Sequence, residues 1–135
     1  MFRSALARIS RQTAGVSWQQ NRTYPVCTFN TNLPQSQVDP NFEAKFSDYL
    51  SKLLNKPKER IYIQINGDCR MCSNNDKETR MLMASIKSIG VFNENSNKVL
   101  GPEIRDYLCE HFGVDKMKIT LLLQDLKQHE AAHIM

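Results

Sequence analysis

Two short spacings in this sequence are of the kind that carries chemistry. Cys69-Arg70-Met71-Cys72 sets two thiols three positions apart. His129-Glu130-Ala131-Ala132-His133 follows the H-E-x-x-H order of zinc proteases. A redox dithiol needs its first cysteine at a helix N-terminus, which stabilises the thiolate. Residues 69–79 are polar and turn-rich, with no helical pattern directly behind them, so the thiol pair reads as part of a loop. The protease pattern needs a helix of its own, a third ligand and a substrate cleft. Only two residues follow His133, and the segment reads as a polar tail. Cys69, Cys72, His129 and His133 together are two ligand pairs with spacings that suit one tetrahedral zinc ion. They are far apart in the chain, so only folding, within or across subunits, would unite them. No metal is assigned.

The surrounding elements must position whatever does the chemistry. Residues 25–33 alternate weakly and contain Val, Thr and Phe, a strand closed by Pro34. Asp39 as N-cap and Pro40 at the first helical position start a helix. Phe42, Phe46, Tyr49, Leu50, Leu53 and Leu54 give it one apolar face to about Asn55. Residues 60–66 alternate strictly, with Ile61, Ile63 and Ile65 on one side. After the loop, residues 80–89 read as a strand and 97–112 as a second amphipathic helix. Pro102 fits a first turn best, so the regular helix is expected from near Gly101. Gly113 caps its end. Residues 117–123 form a strongly apolar last strand. The order is β-α-β, loop, β-α-β, an α+β fold. The two repeats can form one four-stranded mixed sheet with both helices on one face. The other face then needs cover, and oligomerisation is the expected source.

Apolar residues make up 41% of the 135 and charged residues 24%, which excludes a disordered chain. No run approaches the ~18 apolar residues of a membrane-spanning helix. The net charge is +4, from 18 basic and 14 acidic residues. Residues 1–24 hold Arg3, Arg8, Arg11 and Arg22 and no acid; removing those four leaves 14 basic against 14 acidic residues. The neutral body gives no electrostatic case for nucleic acid. Phe2, Leu6 and Ile9 fall on one helical face of the leader, with arginines around them. That is the profile of a mitochondrial transit peptide, the alternative being a disordered arm. A matrix location follows, with cytoplasm, or secretion without a signal peptide, as the alternative. The four cysteines then read as reduced thiols.

The body, residues 25–135, resembles the macrophage migration inhibitory factor family of the tautomerase superfamily. The strings that carry the resemblance are Pro25 opening a strand, Asn30-Thr31-Asn32-Leu33-Pro34, Asn55-Lys56-Pro57, Ser88-Ile89-Gly90 and Asp125 after the last strand. The resemblance implies a homotrimer whose sheets form a central barrel, with active sites between subunits. It implies keto–enol tautomerase activity on a small α-keto or enol acid such as phenylpyruvate, with no cofactor. Position matching makes Pro25 the catalytic base, Lys56 the ligand of the substrate carboxylate, and Ile89 the source of a backbone amide that lines the pocket. The family's tyrosine and asparagine of the last strand match Thr120 and Leu122 here. The alternative is a catalytically inactive cytokine-like or interaction protein with a protein receptor.

Position is decisive for Pro25. A free N-terminal proline is a secondary amine with a usable lone pair, and a base with pKa near the working pH is what moves a proton between carbon and oxygen. An internal prolyl nitrogen is an amide, its lone pair delocalised into the carbonyl. Arg22-Thr23-Tyr24-Pro25 resembles a two-step processing site: one cut two residues after Arg22, then removal of Tyr24. The product would begin at Pro25.

Overall fold

The computed structural model describes residues 24–130. The leader's Phe2, Leu6 and Ile9 face, Arg22 and Thr23 ahead of the expected Thr23–Tyr24 cut, and His133 lie outside them. Strand β1 (Val26–Thr31) buries every second side chain, Cys27, Phe29 and Thr31. It leads to helix α1 (Phe42–Leu54), strand β2 (Tyr62–Asn66) and, after the loop, strand β3 (Leu82–Ile89). Helix α2 (Glu94–Phe112) and strand β4 (Ile119–Leu126) complete the chain. The sheet order is β2-β1-β3-β4. β1 and β2 run parallel, as do β3 and β4, and the two repeats join through the antiparallel β1–β3 pair. This is the mixed four-stranded sheet that the repeat pattern predicts.

Only one sheet face is buried, as side chains that alternate across the pleat require. Phe29, Leu82, Ala84 and Ile86 on that face form one core with Phe42, Phe46, Leu50 and Leu54 of α1 and Leu100, Ile104, Leu108 and Phe112 of α2. Phe29 stands edge-on to Phe42 and to Phe46, each at 5.0 Å between ring centroids. Each fully buried ring contributes about 1.5–3 kcal/mol of apolar transfer energy. Tyr62, Met83, Lys87, Thr120 and Leu122 alternate with these positions and are exposed on the other face.

Several boundaries move, each for a local reason. α1 begins at Phe42, not Pro40, because Asp39 caps a turn instead of the helix. Its Oδ1 accepts the Asn41 N–H at 2.9 Å, and its carbonyl accepts the Phe42 N–H at 3.0 Å. α2 begins at Glu94, ahead of the expected start. Asn93 and Ser96 form a reciprocal capping box, each side chain accepting from the other's backbone N–H at 2.9 Å. Pro102 is thus carried inside the helix. Gly113, at φ +65°, closes it in the left-handed region as the sequence suggests. β4 begins at Ile119, because Asp115 turns the preceding residues by accepting the Met117 N–H at 2.9 Å.

Candidate active site

α1 ends at Asn55, whose left-handed φ of +57° lets the chain double back. The Lys56 N–H returns to the Ser51 carbonyl at 3.1 Å, and the Ser51 hydroxyl donates to the Lys56 carbonyl. The backbone of Lys56 is therefore fixed to the helix end. Its side chain is half-buried, and among the described residues no carboxylate pairs with it. Burial and, secondarily, the nearby Arg60 charge push its ammonium below the usual lysine pKa.

Pro25 directly precedes β1 and is fully buried. Its carbonyl accepts the Tyr62 N–H at 2.9 Å, pinning the start of β1 to the start of β2. Extending the β1–β3 register sets Pro25 opposite Ser88 and Tyr24 opposite Ile89. The Ser88 hydroxyl is buried and, among the described residues, has no hydrogen-bond partner. Ile89 ends β3, and the next residue, Gly90, turns at φ +73° with its N–H donated to Asp125 Oδ1 at 2.8 Å. Asp125 lies within β4, so the edge strand holds the turn behind Ile89. Lys56 and Gly90 line a cavity of about 130 Å³, closed by Val91, Asn93, Ser96 and Leu100. The fold thus brings Pro25, Lys56 and Ile89 to one end of the sheet.

Thr120 and Leu122 are not part of that cluster within the subunit. They pair with Met83 and Ser85, in the body of the sheet, and are exposed on its uncovered face. The two thiols of the 69–72 loop lie at the opposite end, where the Cys69 N–H donates to the Thr31 carbonyl at 3.0 Å. His129 follows β4 beyond the Ile89 end. Eight residues of β3, about 25 Å of strand, separate the two ends, so Cys69, Cys72 and His129 do not share a site within one subunit. No group of three or more potential metal ligands occurs among the described residues.

The far end has a larger cleft, about 610 Å³, bordered by Arg70, Cys72, Lys77, Glu78 and Arg80. It is built by a loop whose centre is Asp76. That carboxylate accepts the Glu78 N–H at 2.9 Å, the Thr79 N–H at 3.1 Å and the Thr79 hydroxyl, and pairs with Lys118 at 3.3 Å. These donors hold its pKa far below the usual carboxylate range. The Asn30-Thr31-Asn32 string serves this end. Asn30 accepts from Asn66 at 2.9 Å, Thr31 donates to the Met81 carbonyl at 2.7 Å, and Asn32 brackets Thr79 and Met81, each at 2.8 Å.

A sequence model of the family described as macrophage migration inhibitory factor (MIF) matches residues 24–134. The chain belongs to the MIF family. The MIF-like protein mif-2 of Caenorhabditis elegans is 29% identical over 102 residues, covering 76% of this chain and 84% of that protein. A D-dopachrome decarboxylase of Xenopus tropicalis is 27% identical over 105 residues, covering 72% and 82%. The fold is shared with the MIF of Trichinella spiralis, with a TM-score of 0.74, 21% identity and coverage of 78% of this chain and 93% of that one. The Oncomelania hupensis MIF aligns with a TM-score of 0.68 at 25% identity, covering 75% and 86%. Among the described residues the buried core lies within residues 27–114, and nearly the full length of the Trichinella protein lies within the match.

The sequence did not single out Tyr24, Arg60 and Tyr62 as site residues. The Tyr24 ring lies 6.2 Å from the Tyr62 ring and has the Arg60 guanidinium 5.5 Å from its centroid. The signal was available: Tyr24 is joined to the proline nitrogen, and Tyr62 opens the strand that pairs with β1.

Proposed function

We propose that this MIF-family chain is a keto–enol tautomerase acting on a small α-keto acid of the phenylpyruvate type, once it is cut ahead of Pro25. The observation that carries the reading is a fully buried proline at the head of β1, at the same sheet end as a half-buried lysine that no described carboxylate neutralises. A freed Pro25 is an amine. A reference α-amino group titrates near ~7.7–8.0, and burial or an adjacent cation lowers that value. The Pro25 nitrogen takes a proton from the carbon next to the keto group and returns it to the keto oxygen. Base and substrate end with the charges they began with. Lys56 holds the substrate carboxylate, and the Ile89 backbone amide lines the pocket. The dopachrome enzyme among the relatives supports an enolisable substrate. The family's oligomeric habit and the uncovered sheet face support a homotrimer. The acid-free leader supports delivery to the mitochondrial matrix, with removal of residues 1–24 there.

The test compares enolisation of phenylpyruvate by protein beginning at Pro25 and by the intact chain, with N-terminal sequencing of the native protein. Activity confined to the trimmed form, and a native start at Pro25, are expected. A second reading rests on Leu122. It is half exposed and has no polar atom where the family places an asparagine, which suits an inactive interaction protein that binds a receptor. Inactivity of both forms would select it.

A further inference from the structure

The thiols of the 69–72 loop take no part in the proposed chemistry of the Pro25 end, and both are free. The fold nevertheless anchors the segment that carries them on either side. Asp68 turns the chain out of β2 at φ +57°, with its N–H on the Leu33 carbonyl at 2.8 Å, and the Cys69 N–H follows on the Thr31 carbonyl at 3.0 Å. Just past Cys72, Ser73 and Asp76 exchange two backbone hydrogen bonds, each 3.0 Å, and the Ser73 carbonyl accepts from Lys118 Nζ at 3.0 Å. From Cys69 to Cys72 is three residue steps, at most about 11 Å even if fully extended. Cys69, Met71 and Cys72 all line the cleft of about 610 Å³.

Ligand count and softness decide what such a pair can hold. A zinc ion takes three or four protein ligands. Among the described residues no third histidine, cysteine or carboxylate joins the two thiols. Copper(I) is softer, selects thiolate and thioether sulfur, and is satisfied by two thiolates. Met71, in the same cleft wall, adds a thioether to that soft surface. The Cys69 thiol donates to the Asn66 and Gly67 carbonyls at 3.4 and 3.8 Å, weak sulfur contacts that a metal bond replaces at small cost. When two thiols bind one copper(I), two protons leave to solvent and the complex carries one negative charge. Arg70, Lys77 and Arg80 border the cleft against the single carboxylate of Glu78, and nearby cations stabilise thiolate. Cys72 is exposed, so an incoming thiolate can deliver or withdraw the ion there.

We propose that Cys69 and Cys72 form a copper(I) site at the loop end, a bis-thiolate complex held in a cationic cleft. The site is separate from the tautomerase reading and stands or falls without it.

The experiment titrates the reduced, intact chain with the coloured copper(I)–bicinchoninate complex in the absence of oxygen, with melting temperatures to confirm that each variant is folded. The chain should strip one copper(I) from the probe. Cys69→Ser and Cys72→Ser should each weaken binding at least about a hundredfold, at or beyond the upper range for loss of a mere outer-shell partner. Cys109→Ser, outside the cleft, should change nothing. An excess of zinc should not displace the copper. Replacing both Arg70 and Lys77 by Ala should weaken binding about threefold to tenfold, and more at low salt than at high, as exposed charges acting at short range do. Failure to take copper(I) from bicinchoninate, uptake that survives either cysteine variant, or displacement by zinc would each overturn the site. Affinity indifferent to the double Ala variant at every salt concentration would overturn it as well, because a bare pair of thiols would then account for the binding.

Discussion

The two ends of the sheet contrast in how they treat charge and water. At the loop end, a wide cleft is bordered by Arg70, Lys77 and Arg80; Arg80 donates to the Phe112 carbonyl at 2.9 Å, and in the adjoining turn Lys118 pairs with Asp76. At the Pro25 end the cavity is small, and among the described residues Lys56 has no carboxylate partner and the buried Ser88 hydroxyl no hydrogen bond. A site that must bind an anion and tune a base needs unspent polarity in a dry setting, where electrostatic interactions are stronger. Size alone selects the loop end, away from the proposed site. The loop end uses its polar groups to hold strands and turns together, and the Pro25 end leaves some of its own uncommitted.

The largest test of this contrast is the base itself. In protein beginning at Pro25, Pro25→Ala should lower kcat for phenylpyruvate enolisation by about 10²–10⁴, the usual contribution of a positioned acid–base group. Next comes the anion contact. Lys56→Ala should raise KM about tenfold to a hundredfold, matching a charged hydrogen bond of ~1.5–3 kcal/mol, while Lys77→Ala at the other end leaves KM unchanged. Thiol chemistry separates buried from wet surroundings more directly. Burial pushes the Cys27 thiol up to about 12, whereas Cys72 is exposed. A chromogenic disulfide reagent should label Cys72 in the native protein and Cys27 only on unfolding. Asp76→Ala should lower the melting temperature by freeing the 73–79 turn and leave kcat/KM of the trimmed enzyme unchanged.

The smallest effect concerns His111, near the C-terminal end of α2. Asp39 Oδ2 stands 3.5 Å from its Nε2, and that nitrogen makes no hydrogen bond among the described residues. Burial therefore outweighs the attraction of Asp39, and the imidazole titrates below its ordinary 6.5. A histidine held neutral in the fold binds its proton more readily when unfolded. Stability should be full above about pH 6.5 and decline as pH falls below it. Asp39, whose pKa is lowered chiefly by its hydrogen bond from Lys45, acts in a separate window. Its contribution is lost only at pH below its ordinary 3.8. Equilibrium urea melts across pH 4–8 should show the first decline, and His111→Asn should flatten it.

The strands and helices were legible because apolar spacing reports burial directly. Phe42, Phe46, Leu50 and Leu54 fall four apart, and all four are buried. The start of α2 was misplaced because Pro102 is a loud signal and the Asn93–Ser96 box a quiet one. The box satisfies two end N–H groups, and the helix tolerates the proline. Lys56 and Ile89 could be named only through family strings. Their approach depends on the β1–β3 pairing, a long-range contact that local spacing does not encode. Tyr24 was read as a residue to be removed. Its ring contacts with Arg60 and Tyr62 follow from strand register, which places it beside the opening of β2.

The hydrogen bond between the Pro25 carbonyl and the Tyr62 N–H is already formed while Pro25 is still joined to Tyr24. Activation under the proposed scheme therefore requires no refolding: the lock and the finished mechanism differ by one severed link. Control over when and where the chemistry begins would pass from the fold to the peptidase that makes the last cut.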